Sequence, residues 1–206
     1  MPACSDVRLR WFIIDRFVKA LGRHDLPGLR GLLEGFNYYD RARVKEVGAD
    51  RAAAEWIVRC EGEIKFDKFK KYISDYNKLI KETADIDPRV PSEQVHLVSI
   101  NACDASITGY GCRHFAGLHH LIDVRFIRCR NLHDYGLEYM CDAVAKSLKY
   151  LQIESCPRIT EFGLEHLTKL TNLESLILHD LHRVHGQDDV RKLLNSALPK
   201  CNIQYS

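Results

Sequence analysis

A chain of 206 residues is long enough to bury a hydrophobic core and short enough to form one domain or two small ones. Hydrophobic residues make up 46% and charged residues 28%, which excludes an intrinsically disordered chain. The 30 Lys and Arg against 28 Asp and Glu leave a formal charge of +2, too little to draw the protein onto nucleic acid. No run reaches the roughly 20 apolar residues of a membrane span, so membrane association is expected to be peripheral at most.

In chain order, Val7 to Arg23 places Trp11, Ile14, Val18 and Leu21 on one helical face, with Arg8, Arg10, Arg16, Lys19 and Arg23 between them. That composition suits a mitochondrial presequence within residues 1–24, while Asp6 and Asp15 suit an ordinary helix equally well. Gly48 and Asp50 predict a turn and an N-cap ahead of a helix from Arg51 to Cys60. Ala52, Ala53 and Ala54 would allow close packing in it, with Trp56 and Ile57 on its buried side. Glu61-Gly62 ends that helix, and Glu63 to Phe69, with Ile64 and Phe66 on one side, predicts a capping strand that starts a sheet. Pro88 and Pro91 then disfavour helix. They mark a boundary between a mainly helical N-terminal capping domain, residues 1–92, and a second domain, residues 93–206.

The second domain is repetitive. Leu148 to Leu164 reads LKYLQIESCPRITEFGL, and Leu121 to Leu137 reads LIDVRFIRCRNLHDYGL, with Leu121, Val124, Phe126, Cys129, Leu132, Gly136 and Leu137 in the same slots. An earlier copy is read as Val95, Val98, Ile100 and Cys103, and a later one as Leu173, Leu176, Leu178, Leu181 and Val184. The anchors Val98, Val124, Leu151 and Leu176 recur at 26, 27 and 25 residues, inside the range of leucine-rich repeats. In L-x-x-L-x-L a short strand points alternate side chains inward, and the later Cys and Ile turn the chain back over the same core. The expected fold class is therefore α/β: a short leucine-rich-repeat solenoid of about four repeats, with parallel strands and outer helices, behind the helical cap.

Outer helices are predicted over Gly111–Leu118, Gly136–Ala145 and Gly163–Leu170, capped by Thr108, Asp134 and Thr160. Cys103, Cys129 and Cys156 are expected as a buried ladder of free thiols, because no C-x-x-C pair supplies a zinc site. The candidate partner-binding face comprises Ser99, Arg125, Gln152 and Ile177, with neighbours Asn101, Ile127, Glu154 and His179. Ten histidines include His179, His182 and His185, yet no nucleophile elbow, paired carboxylates or phosphate-binding glycine loop accompanies them, so no enzyme is expected.

Lys45 to Phe66, KEVGADRAAAEWIVRCEGEIKF, resembles the segment before the repeats in the mitochondrial ATP synthase coupling factor B (subunit s) family, matching at Asp50, Arg51, Ala52, Ala53, Glu55, Trp56, Arg59 and Cys60. The resemblance continues through the repeats to Leu198-Pro199, and proteins of complex I distal membrane arm assembly share the repeat type. It implies a monomeric, non-catalytic factor on the matrix side of the mitochondrial inner membrane, with ATP synthase or another inner-membrane complex as its protein partner. The alternatives are a complex I assembly factor and a leucine-rich-repeat substrate receptor of a ubiquitin ligase. The family's thiol pair falls on Ile127 and Cys129, so a dithiol is not retained. Its magnesium site aligns with Glu61 and Cys103, which makes magnesium the one cofactor to test.

Overall fold

The computed structural model describes residues 30–87 and 89–206. The presequence reading of residues 1–24 and the helix expected from Val7 to Arg23 lie outside the described residues.

Three helices open the described chain: α1 (Arg30–Phe36), α2 (Arg41–Val47) and α3 (Ala49–Arg59). Asp40 caps α2, its carboxylate accepting from the N–H groups of Ala42 and Arg43 at 2.8 and 3.1 Å. Gly48 joins α2 to α3 with a φ of 86°, a conformation that costs glycine little. The helix therefore begins at Ala49, and Asp50 is not its N-cap. From the first turn its carboxylate instead accepts from the N–H of Leu97 at 2.7 Å, fastening α3 to a strand 47 residues away.

Strand β1 (Glu63–Phe66) starts the sheet, with Ile64 and Phe66 buried. Helix α4 (Tyr76–Thr83) follows, capped by Asp75 and packed through Leu79. The repeats supply β2 (Leu97–Cys103), β3 (Asp123–Ile127), β4 (Tyr150–Glu154), β5 (Ser175–His179) and β6 (Asn202–Tyr205). The six strands lie in chain order, β1 antiparallel to β2 and every later pair parallel. The result is an α/β fold with a mostly parallel sheet.

Opposite the outward side chains, each repeat connects through short helical pieces. These are a 3-10 turn at Gly111–Phe115, helix α5 (Asp134–Val144), helix α6 (Glu161–Glu165) with a 3-10 turn at His166–Lys169, and helix α7 (Gln187–Ala197). The shortness of the helical pieces lets each repeat return to the next strand within 24 to 27 residues, the separation of successive register partners.

The register corrects the first repeat. Ile100, Val124, Leu151, Leu176 and Ile203 stand side by side, so Ile100 and not Val98 holds the anchor slot. Leu97 takes the place of Leu121, Leu148 and Leu173, while Ala102 is beside Phe126. Val98 occupies the outward slot of Ile122. The thiol ladder changes with it: Ala105, Cys129, Cys156 and Leu181 are buried, whereas Cys103 lies half-buried on the opposite face. Cys129 and Cys156 each donate to the carbonyl of the preceding repeat, at Ala102 and Phe126, over 3.1 and 3.5 Å. The residues just before these slots, Asp104, Arg128, Ser155 and Asp180, all adopt φ of 50–54°. Each donates its N–H to a carbonyl one repeat further on, which offsets the strain of the left-handed conformation.

Two expected caps also act differently. Thr108 accepts from the N–H of Gly111 at 3.4 Å, as a cap should. Asp134 is instead the first helical residue of α5 and reaches the next repeat, accepting from the N–H and hydroxyl of Thr160 at 2.8 and 2.7 Å. Thr160, at the N-cap of α6, makes no capping bond of its own. One core runs from Ala53 through every repeat to Tyr205, joining the helical segment to the strands. Full burial of side chains such as Val124, Leu151 and Leu176 contributes about 1.5–3 kcal/mol each.

Candidate interaction surface

Side chains that alternate with the buried anchors form rows across the sheet. The central row is Glu63, Asn101, Arg125, Gln152, Ile177 and Gln204. The structure thus brings Arg125, Gln152 and Ile177 together but sets Ser99 in the adjacent row with Asp123, Tyr150 and Ser175. Asn101 takes the place assigned to Ser99. Ser99 is only 5% exposed, because Tyr72 from the segment after β1 meets its hydroxyl at 2.9 Å.

The polar groups of this face are held by one another. Asp123 accepts from Arg125 Nε and Nη2, both at 3.2 Å, and from the Ser99 hydroxyl at 3.0 Å. The Arg125 guanidinium also lies over the Tyr150 ring, 4.9 Å from its centroid, and the Asp123 carboxylate raises its pKa further. Tyr150 donates to Gln152 at 3.1 Å, and the Gln152 amide donates to Glu154 at 2.9 Å. Fixing long side chains in this way lowers the entropy that a partner's docking would remove. The face offers a cation, amides and the aliphatic Ile127 and Ile177, a mixture suited to a protein surface.

The third row, Cys103, Ile127, Glu154 and His179, bears on magnesium. Glu61 precedes β1 at the end where Glu63 faces Asn101, so Glu61 and Cys103 lie toward one end of the strand pair. Arg128 Nη2 contacts the Cys103 sulfur and the Asp104 carboxylate, both at 2.8 Å. Burial is the main cause raising the Cys103 thiol, which keeps it protonated at neutral pH. A guanidinium already neutralises the nearest carboxylate, and magnesium demands an octahedron of oxygens. Among the described residues, no group of three or more His, Cys, Asp and Glu is arranged to hold a metal ion. The residues present do not fit magnesium.

The histidines fall into unrelated settings. His114 is buried, stacked on Trp56 with ring centroids 4.9 Å apart, and burial lowers its pKa to about 4. His182 is an exposed side chain 2.7 Å from Asp180. The apolar setting that holds His114 neutral is a packing position.

Comparison with known proteins places the chain. Rat ATP synthase subunit s, mitochondrial, is 31% identical over 171 residues, which cover 82% of this chain and 82% of that protein. The human protein of the same name is 30% identical and the bovine one 29% identical over the same span. The chain belongs to the mitochondrial ATP synthase subunit s family. No family model matches it. In this member of the subunit s family, sequence reading missed Tyr72, Asp123 and Tyr150 as parts of the face. Asp123 and Tyr150 precede the anchors Val124 and Leu151 by one residue, so the register alone would have found them. Tyr72 comes from outside the repeats, where no periodicity points to the sheet.

Proposed function

We propose that this protein is a non-catalytic accessory factor of mitochondrial ATP synthase. It docks as a monomer, through the open face of β2–β6, on the matrix side of the inner membrane. The names of its relatives support the partner and the compartment. The observation that carries the docking mode is the continuous row from Asn101 through Arg125, Gln152 and Ile177 to Gln204, five strands in one register whose side chains in this row stay partly or fully exposed among the described residues. A surface of this kind recognises an extended partner by many modest contacts, and it lacks the enclosed, convergent polar groups of a catalytic pocket.

The repeat spacing, the in-register anchors and the recurring left-handed turn support reading the sheet as a leucine-rich-repeat solenoid. On that reading residues 1–92 cap its first strand, and the repeat domain spans 93–206. Among the described residues no helix is long and apolar enough to cross a membrane. Affinity purification of the tagged protein from mitochondria, with the co-purifying subunits identified, tests the proposal. Recovery of ATP synthase subunits is expected. Recovery of complex I intermediates without ATP synthase would replace the partner, and a protein found only in the cytosol would remove the compartment.

A further inference from the structure

Away from the sheet face, the first turn of α3 lines a pocket of about 220 Å³ together with Ile86, His96 and Gly117. Arg51 lies in this wall. It is only 9% exposed, and among the described residues its side chain donates from Nη1 to the carbonyl of Ile86 at 2.9 Å. Its Nε is buried without a partner.

Helix spacing would offer Glu55, four residues on, as a partner for Arg51. Glu55 is already taken: Arg43 binds both of its oxygens, at 2.6 and 3.0 Å. Among the described residues no carboxylate forms an ion pair with Arg51. A guanidinium buried in this way costs several kcal/mol when nothing neutralises it. Burial accordingly lowers the Arg51 pKa, against the opposing pull of the more distant Glu55. The unused Nε side of a guanidinium, with the neighbouring Nη2, is the planar edge that binds two oxygens of a carboxylate or phosphate.

The surroundings suit the same ligand. Gly48, at the N-cap of the 11-residue helix α3, brings no side-chain acceptor to the first turn, where N–H groups and the helix dipole favour negative charge. Across the pocket, His96 Nδ1 is likewise buried without a hydrogen-bond partner, and the His96 ring lies against that of His120, tilted by 34° with centroids 3.9 Å apart. The opposing charge is Asp50, 3.8 Å from His96 Nδ1. One of its oxygens is committed to the N–H of Leu97, and its other oxygen is the one that faces His96.

We propose that this pocket binds a small oxyanion, a phosphate or a short-chain carboxylate, across the Nε edge of Arg51 at the start of α3. The volume falls below the roughly 300–1,000 Å³ of sites for drug-sized ligands, so the anion itself, with few further atoms, fills it. This site is independent of the docking face.

The test titrates the full chain with inorganic phosphate and, separately, succinate, against chloride at matched ionic strength. The readouts are calorimetry and the Nε–Hε resonance of Arg51. At least one anion is expected to move that resonance saturably, and which one does so fixes the chemical class. Arg51→Lys keeps the charge but loses the two-donor edge, and should weaken binding at least tenfold, whereas Lys45→Gln on exposed α2 should not. The proposal is overturned if neither anion moves the Arg51 resonance, or if Arg51→Lys binds as tightly as the parent. An equal loss in Lys45→Gln would also overturn it. Should Arg51→Lys fail to fold, the resonance of the unmodified protein decides alone.

Discussion

Replacing Asn37 with alanine should be among the most damaging single changes in the segment before the repeats. Its side chain is fully buried between α1, α3 and the first repeat. The amide donates to the carbonyls of Leu33 and Ser106 at 2.9 and 3.0 Å, while its oxygen accepts from Trp56 Nε1 and the Thr108 N–H, both at 3.0 Å. Alanine keeps none of these bonds and leaves two buried donors, on Trp56 and Thr108, without partners. At about 1–3 kcal/mol for each orphaned donor, the expected cost is roughly 2–6 kcal/mol. In a protein of this size, about 2–4 °C is lost per kcal/mol. A central value near 4 kcal/mol therefore corresponds to a fall in Tm of roughly 8–16 °C. Urea unfolding followed by far-UV circular dichroism, with calorimetry for Tm, measures both. Gly111→Ala strikes the same cluster, because an added Cβ would lie 2.3 Å from Asn37 Oδ1 and 2.6 Å from Trp56 Nε1. The double variant should lose less than the sum of the two single losses. A cost below about 1 kcal/mol for Asn37→Ala, or strict additivity with Gly111→Ala, would refute the idea that this amide organises the junction.

Three further outcomes are expected. Leu151→Ala, a deletion at a fully buried anchor, should cost roughly 2–5 kcal/mol in denaturant unfolding. A loss under 1 kcal/mol would contradict its place in the core. His114 is neutral in the fold with a pKa of about 4, while in the unfolded chain it titrates near 6.5. The unfolded state thus binds more protons between these values, and stability should fall as pH drops from about 6.5 toward 4, by roughly 3 kcal/mol from this residue. His114→Phe should flatten that part of the stability–pH curve, and an unchanged slope would count against the assignment. Among the described thiols, a brief alkylation of the native protein should label Cys103 and Cys201 ahead of Cys60, Cys112, Cys129, Cys141 and Cys156, which are buried. Peptide mapping by mass spectrometry would show the order, and early labelling of Cys129 or Cys156 would contradict the packing of the ladder.

The repeats were legible where their inward residues are large. Leu121, Val124, Phe126 and Leu148, Leu151, Ile153 repeat the same spacing, and the strands follow it. The first repeat misled because its inward residues at two slots are alanines, Ala102 and Ala105, which carry little hydrophobic signal. Val95, Val98, Ile100 and Cys103 imitate the same spacing two residues earlier. The same core holds the large rings of Trp56, Phe115 and Phe126, which pack edge to face. The fifth parallel strand, β6, was missed for a related reason: Lys200 stands where the other repeats have leucine, and only Ile203 and Tyr205 keep the pattern. Asp50 and Asp134 were misassigned as caps because sequence shows local offsets. Both carboxylates spend their hydrogen bonds on distant chain, at Leu97 and Thr160. The candidate face followed from alternation once the register was known, except that Ser99 yields its position to Asn101. Arg51 gave no signal of its own, since its isolation depends on Arg43 occupying Glu55.

Docking through the open sheet face is tested most directly by a photo-crosslinking residue placed at Ile177, in the central row, and separately at Glu165, an exposed position on helix α6. Irradiation of mitochondria that express each variant should join ATP synthase subunits to the protein substituted at 177 and not at 165. Adducts formed from 165 alone, or none from 177 while the protein still co-purifies with ATP synthase, would place the contact elsewhere on the molecule.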